Sequence, residues 1–329
     1  MNKKRPFVAK RMLWHLFDIY NFSSKKILSR YLDKLKPDVV ICHNIFGWSP
    51  SIWSTCKEYN VPTVQVLHDQ NLLCPRNMFK NNEVCKKRCL ICKLMRMPHK
   101  KLSNKITGVV GVSKFILNKF VDYEYFIDAS VKEVIYNSRN LSLPNLEAKK
   151  SRETVNFGYI GNIALNKGVE NLLIAFHKIN NKNIKLFVAG NGDKKYLSYL
   201  KKRYYCDNIY FLGYVKPEDF FSQIDVTVVP SIWEESLGVV VIESFAYGVP
   251  VIGSRIGGIP EMIDENVNGL LFDSVSVEDL SNKMLDFLHS ISYWRNNRQV
   301  IQKSSEPFLN YWKWIEKWEN LLIYIKDMD

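Results

Sequence analysis

Short runs of β-branched residues alternate with helix-length amphipathic stretches along nearly the whole chain, and this alternation limits the fold more than any other feature. "PDVVIC", "VPTVQVLHD", "KITGVVGVS" and "VKEVIYNS" mark the first half, with "SPSIWSTCKEYN" and "KFILNKF" reading as helices. "VNFGYIG", "IKLFVAG", "NIYFLGYV", "DVTVVPS" and "VPVIGS" mark the second, separated by "GVENLLIAFHKI", "KKYLSYLKKRYY" and "KPEDFFSQ". Strands that are apolar throughout need cover on both faces, and strand–helix–strand order supplies it. The expected class is therefore α/β, with doubly wound parallel sheets. Local punctuation refines the helices. Ser49 is the expected cap of "SPSIWSTCKEYN", with Pro50 at its first position. Ser276 caps "SVEDLSNKMLDFLHS", and "EPFLNYWKWIEKWENLLIYIK" reads as one long helix.

The polar, aperiodic stretch "RNLSLPNLEAKKSRET" is the best linker. It divides the chain into two expected Rossmann-like domains, 1–145 and 146–329, with the last helix packing back on the first domain. In such sheets ligands bind at the carboxyl ends of the strands. The loops "LHDQ", "YIGNIALNKG", "AGNGD", "VPSIWEESLG" and "GSRIGGIPE" should then line a cleft.

Charge and cysteine content bound the partners. The net charge of +13 is concentrated in residues 1–150, where 27 Lys and Arg face 11 Asp and Glu; the remainder has 19 against 22. A basic half beside a near-neutral half points to an anionic membrane surface or nucleic acid. No recognised nucleic-acid motif accompanies the charge, so no nucleic-acid partner is expected. No apolar run approaches the roughly 18 residues of a membrane span. The basic N-terminus is interrupted by His15 and Asp18 and lacks a small-residue cleavage site. The expected location is cytoplasmic, peripheral on the inner face of the membrane. Of seven cysteines, Cys74, Cys85, Cys89 and Cys92 fall in one insertion, 74–92, spaced C-x10-C-x3-C-x2-C. In a reducing compartment that spacing suggests a structural zinc site as readily as four free thiols.

Two loops carry chemistry. In "GYIGNIALNKG", Gly161 ends a strand and Lys167–Gly168 precede a helix, elements that can cradle a phosphate; but the loop is neither a Walker loop nor G-x-G-x-x-G, and taken alone it reads as a plain strand-to-helix turn with a surface Lys. In "WEESLGVVVIESF", Glu235 and Glu243 bracket an apolar run. Ser236 is the expected cap of a helix whose first turn holds Leu237 and Gly238. Glu243 then sits about two turns inside, where it needs a partner: ribose hydroxyls, or an internal Arg or amide. A glycosidase acid/base pair would need the two acids on opposite sides of one sugar, which a loop-plus-helix layout disfavours.

These residues resemble the E-x7-E motif of the retaining glycosyltransferases of the GT-B fold, glycosyltransferase family 4. Glu235–x–Leu–Gly238, Glu243, "AYGVPVIGS", "GGIPE", "NKGVENLLIAF", "VAGNGD" and "FLGYV" match densely over 155–273. "KPDVVICHN", "VLHDQNLLCP", "GVSKF" and "VIYNS" match loosely. The resemblance implies two Rossmann-like domains facing a cleft and sugar transfer from a nucleotide diphosphate with retention. Lys167 would hold the diphosphate. The amides around Ser236, Leu237 and Gly238 would touch phosphate and sugar. Glu235 would bind a sugar hydroxyl and Glu243 the ribose. His68 would lie by the anomeric region, Tyr214 and Val215 by the base, and Gly161, Asn162 and Gly190 along the donor. The expected catalytic set is His68, Lys167 and Glu235, with no metal or other cofactor required for transfer. The implied activity is hexosyltransferase-type, from a UDP- or GDP-sugar to a glycan or polyprenyl-linked acceptor. It belongs to bacterial surface polysaccharide assembly: O-antigen (lipopolysaccharide), capsule or exopolysaccharide. Two departures bear on this. Asn162 stands where many members carry Arg, which leaves Arg255 or another cation to substitute. "MNKKRPFVAKRMLWHLF" lacks the usual first strand and Gly-rich loop, so the first domain is expected to be shortened. The alternative is a catalytically impaired GT-B-like binding or scaffold protein.

Overall fold

In the computed structural model, residues 16–141, 143–146, 153–179 and 181–328 are described. The chain separates into two compact units. One comprises 1–80, 85–137 and 312–329, the other 81–84 and 138–311. Part of the linker stretch and the first 15 residues lie outside the described positions.

The first unit is built on four parallel strands in sequential order: β1 (Val40–Cys42), β2 (Thr63–Leu67), β3 (Gly108–Gly111) and β4 (Val131–Val134). Both central strands are buried along their whole length, as strands between helical layers are, and the buried Gln65 of β2 is satisfied by Trp53 Nε1 and the Val66 carbonyl. The helices are α1 (Phe22–Leu35), α2 (Ser51–Glu58), α3 (Leu90–Ser103) and α4 (Lys114–Asp122). Ser113 caps α4 by accepting from the Ile116 amide. Helix α2 departs from expectation. Pro50 is its N-cap, and Ser49, at φ 68°, stands outside the helix. Its hydroxyl accepts instead from the Asn21 amide at 2.8 Å, tying the start of α1 to the start of α2.

Six parallel strands make the second unit: β5 (Val155–Ile160), β6 (Ile184–Ala189), β7 (Ile209–Gly213), β8 (Val226–Val229), β9 (Val251–Ser254) and β10 (Gly269–Phe272). Their order across the sheet is β10-β9-β8-β5-β6-β7. Counted within the unit, this is 6-5-4-1-2-3, the doubly wound Rossmann order, with its switch point between β5 and β8. The layers are α5 (Val169–Lys178), α6 (Lys194–Arg203), α7 (Pro217–Gln223), α8 (Val239–Ala246) and α9 (Val277–His289). The Ser276 hydroxyl accepts from the Asp279 amide, so this cap is as expected.

After α9 come α10 (Ile291–Asn296) and α11 (Arg298–Lys303), and the stretch expected as one long helix is two, α12 (Glu306–Leu309) and α13 (Tyr311–Lys326). Asn310 adopts φ −75°, ψ 86°, which no helix tolerates, and breaks the run before Tyr311. From Trp312 on, α13 belongs to the first unit. Leu321 and Ile325 are buried with Val64, Val110 and Ile135, and Trp314 and Trp318 flank them. Among the described residues no helix is long and apolar enough to cross a membrane.

Candidate functional site

Strands β5 and β8 lie side by side in parallel, Val226 opposite Phe157 and Thr227 opposite Gly158. Their helices cover opposite faces of the sheet, so the loops that leave their carboxyl ends diverge and open a crevice. Gly161 to Lys167 leaves β5; Pro230 to Gly238 leaves β8. The two loops are fastened by backbone. The Ile232 amide donates to the Asn166 carbonyl at 3.1 Å. Gly168 lies so close to the second loop that a Cβ would fall 1.8 Å from the Pro230 carbonyl oxygen, and its φ of +66° disfavours any other residue.

That fastening sets Lys167 against Glu235. Lys167 Nζ is 2.5 Å from Glu235 Oε1, with side chains 25% and 18% exposed. The Ser231 hydroxyl donates to the same oxygen at 2.8 Å, and the ammonium lies 5.4 Å from the centre of the Trp233 ring. The loop after β9 locks the far side, with the Gly258 amide donating to the Glu235 carbonyl at 2.7 Å. A cation and a carboxylate are thus held at the sheet's switch point on a rigid backbone. Tyr159 completes the floor. Its buried hydroxyl donates to the Asn162 carbonyl at 2.8 Å. Burial, and then the charge of Glu235, push its pKa up.

The start of α8 corrects the sequence expectation. Ser236 does not cap it. The N-cap is Gly238, at φ +83°, and no side chain closes the first turn. The free amides there are those of Val239 and Val240, half a turn later than anticipated, since the Val241 amide already donates to the Gly238 carbonyl at 2.9 Å. Leu237 is buried. Glu243 is the fifth residue of α8, part-buried on a helix otherwise made of Val, Ile, Phe, Ala and Ser. Of the two partners envisaged for it, the structure supplies the internal one. Arg139 Nη2 lies 3.2 Å from Glu243 Oε1. Burial raises the Glu243 pKa and Arg139 works against that.

Gly161 and Gly190 meet at the ends of β5 and β6. The Gly161 amide donates to the Ala189 carbonyl, and a Cβ on Gly190 would fall 1.8 Å from the Gly161 carbonyl oxygen. Tyr214, just past β7, is 79% exposed; Val215 packs against the core around Phe220 and Phe221. Asn162 contributes its carbonyl to Tyr159. Arg255, the cation expected to compensate for Asn162, is engaged by Glu265 at 2.9 Å.

His68 belongs to the first unit and follows β2. His43 follows β1, its neighbour. Parallel pairing with Cys42 opposite Gln65 brings both ring systems to the same sheet end. Nδ1 of His43 is 2.9 Å from Nε2 of His68. Burial, then His43, lower the His68 pKa, with Asp69 opposing. Both histidines line a small pocket with Asn44, Gln65, Asp69 and Asn71. Beneath it lies a fully buried guanidinium. Arg96 meets Asp18 at 2.6 Å, the His99 ring at 2.8 Å and the Asn71 side-chain oxygen at 3.0 Å. Of the four clustered cysteines, Cys74 and Cys92 bring their sulfurs to 3.2 Å. Among the described residues no group of three or more His, Cys, Asp or Glu is placed to hold a metal ion.

His43, Tyr159, Ser231, Trp233 and Arg139 were not singled out from sequence. For His43 a signal existed, since "VVICH" and "VQVLH" are two successive strands each followed by His.

Two Rossmann-like units on parallel sheets are the architecture of the GT-B class. Known structures agree. The chain superposes on sucrose-phosphate synthase from Thermosynechococcus elongatus with a TM-score of 0.75 at 20% identity, over 93% of this chain and 78% of that one. For the Anabaena HepE protein crystallised with UDP the TM-score is 0.70 at 17% identity, over 92% and 80%. Residues 146–305 match the model of the glycosyl transferases group 1, and residues 3–143 that of glycosyltransferase family 4. A 42.6 kDa protein of the Klebsiella pneumoniae cps region is 31% identical over 80% of this chain and 68% of its own length. The O-antigen biosynthesis glycosyltransferase WclY of Escherichia coli is 30% identical over 63% and 60%. The chain spans about two thirds or less of these relatives. It belongs to the glycosyltransferases that these two models describe, family 4 over its first half and group 1 over its second.

Proposed function

We propose that this protein transfers a hexosyl group, with retention, from a nucleoside diphosphate sugar to a glycan or polyprenyl-linked glycan in bacterial surface polysaccharide assembly. The observation that carries this reading is the Lys167–Glu235–Ser231 junction at the switch point of the second unit. As the glycosidic bond of the donor breaks, negative charge grows on the departing diphosphate. A fixed ammonium and the uncapped amides at the start of α8 oppose that charge as it develops, which is the kind of binding that lowers a barrier. Glu235, once released by Lys167, accepts from a sugar hydroxyl, and Glu243 from the ribose. Tyr214 and Val215 flank the base, and His68 stands by the transferred sugar. The positive charge comes from this chain's own residues, so the transfer is read as metal-independent. UDP complexes of HepE and the names of the cps and O-antigen relatives support the donor class and the setting. The excess of Lys and Arg in residues 1–150 supports docking on an anionic membrane.

The test is binding followed by turnover. UDP- and GDP-hexoses are titrated calorimetrically against the protein, and hydrolysis or transfer is followed by release of the nucleotide. We expect micromolar binding of one of the two classes. Lys167→Ala should weaken it about tenfold or more, the loss of one charge-assisted contact. Absence of binding and turnover with every nucleotide sugar would refute the proposal. Tight binding without turnover would favour the scaffold reading.

A further inference from the structure

The cysteine segment is untouched by the transfer chemistry, yet it adjoins the His68 turn. Cys74 closes that turn, its amide donating to the Gln70 carbonyl at 3.0 Å, and its side chain is 3% exposed. Cys92 sits in the first turn of α3, half-buried, with its sulfur 3.2 Å from that of Cys74. Cys89 is the N-cap of the same helix and is exposed. An accessible thiol at a helix N-cap, three residues before a shielded one, is an arrangement in which one thiol can start thiol–disulfide exchange and the next can resolve it. The third sulfur, Cys74, lies in contact on the far side.

We propose that Cys89, Cys92 and Cys74 form a thiol–disulfide exchange site, whose oxidised end state is a Cys74–Cys92 disulfide that tethers the His68 turn to α3. The co-substrate is a small disulfide of the glutathione type. The Cys89 thiolate attacks one of its sulfurs, forms a mixed disulfide and expels one small thiolate. Cys92 gives its proton to solvent and attacks the Cys89 sulfur, expelling the second small thiolate and leaving a Cys89–Cys92 bond. Cys74 then loses its proton and attacks the Cys92 sulfur, and Cys89 departs as thiolate. The sum is two protein thiols oxidised and one small disulfide reduced to two thiols.

The tether has a target. Cys74 ends the segment that carries His68, Asp69, Asn71 and Leu72 into the pocket of the first unit. Helix α3 already reaches that segment through the Arg96–Asn71 hydrogen bond. A covalent link from Cys92, one helical turn before Arg96, would fix it a second time. The consequence for sugar transfer rests on the proposed function; the exchange chemistry does not.

The full chain, purified reduced, is assayed for zinc by elemental analysis and then incubated in glutathione buffers of rising potential. Free thiols are trapped by alkylation, linked peptides are mapped by mass, and amide exchange of 68–74 is followed. We expect one peptide pair joined through Cys74 and Cys92. We also expect exchange over 68–74 to slow at least about tenfold on oxidation, as suppressed local opening requires. Cys89→Ser should slow oxidation about tenfold or more and leave the product unchanged. Cys74→Ser should stop at a Cys89–Cys92 link. Absence of the Cys74–Cys92 link in the wild type, or an unaltered rate in Cys89→Ser, would overturn the proposal. So would one tightly held zinc per chain with all four thiols inert to glutathione disulfide. None of these readouts involves sugar transfer, so their failure is separable from failure of the proposed function.

Discussion

Arg96 gives a strict test of how the first unit is held together. Its side chain is fully buried and meets Asp18 at 2.6 Å, the Asn71 oxygen at 3.0 Å and the His99 ring at 2.8 Å. Arg96→Met keeps the aliphatic stem and most of the residue's volume, so the cavity left where the guanidinium lay is small. What remains is a buried carboxylate without its cation and an amide oxygen without its donor. Removing one partner of a buried pair costs about 3–5 kcal/mol. Replacing both partners, Arg96→Met with Asp18→Leu, removes the stranded charge and should recover stability to within about 2 kcal/mol of the wild type. Urea unfolding at pH 7, monitored by tryptophan fluorescence, reads all three proteins. A single-variant loss below about 1 kcal/mol at pH 7, or no recovery in the double variant, would refute the argument.

Gly190 and Gly213 both have positive φ, but only Gly190 abuts backbone, while Gly213 has nothing within 4 Å. Gly213→Ala should cost about 1–2 kcal/mol from strain alone, and Gly190→Ala distinctly more; equal losses in thermal unfolding would count against the packing account. His99 is held neutral, its pKa lowered to about 2 by burial and then by Arg96. The unfolded chain takes up that proton near pH 6.5 and the folded chain does not. Stability should therefore fall by about 1.4 kcal/mol per pH unit as pH drops below about 6.5, and a His99→Gln protein should lack that part of the slope. Ile325, buried against Val64 and Val110, should cost about 2–5 kcal/mol on truncation to Ala; a smaller loss would mean that α13 contributes little to the first unit. Lys167→Ala should weaken UDP binding more than the double variant Lys167→Ala/Glu235→Gln, read by calorimetry; the reverse order would show that Glu235 does not face the diphosphate.

The parallel sheets were legible because their strands are short, β-branched and apolar on both faces, a pattern with few other readings. The exceptions have physical causes. Gly269–Phe272 is four residues of mostly Leu and Phe after an Asn-Gly turn, too short and too little branched to declare itself. Helix α3 lies inside a basic, cysteine-rich run and contains Pro98. The break at Asn310 is one backbone dihedral in an otherwise helical pattern. In the candidate site, residues on one loop were readable, because Lys167, Glu235 and Gly238 each carry a local motif. Partners supplied by distant chain were not. Arg139 reaches Glu243 from before the second unit's first strand, and Tyr159 reaches Asn162 by folding under its own strand end. Ser236 was misplaced as a cap because its hydroxyl looks suitable in one dimension, whereas Gly238 alone takes the left-handed turn from which α8 departs.

The pairing of both carboxylates says what an incoming donor would have to displace. Glu235 is neutralised by Lys167 and Glu243 by Arg139, so neither presents an uncompensated charge to an incoming diphosphate. Backbone contacts through Ile232, Gly168 and Gly258 already fix the loops, which leaves only side chains to rearrange. On this reading donor binding is an exchange. The diphosphate takes Lys167 from Glu235, and the freed carboxylate takes a sugar hydroxyl in return. The cation alone would bind any anion, and the carboxylate alone would repel the diphosphate. Selectivity for a sugar joined to a diphosphate then follows from the two being released together, because only a ligand carrying both groups satisfies both partners.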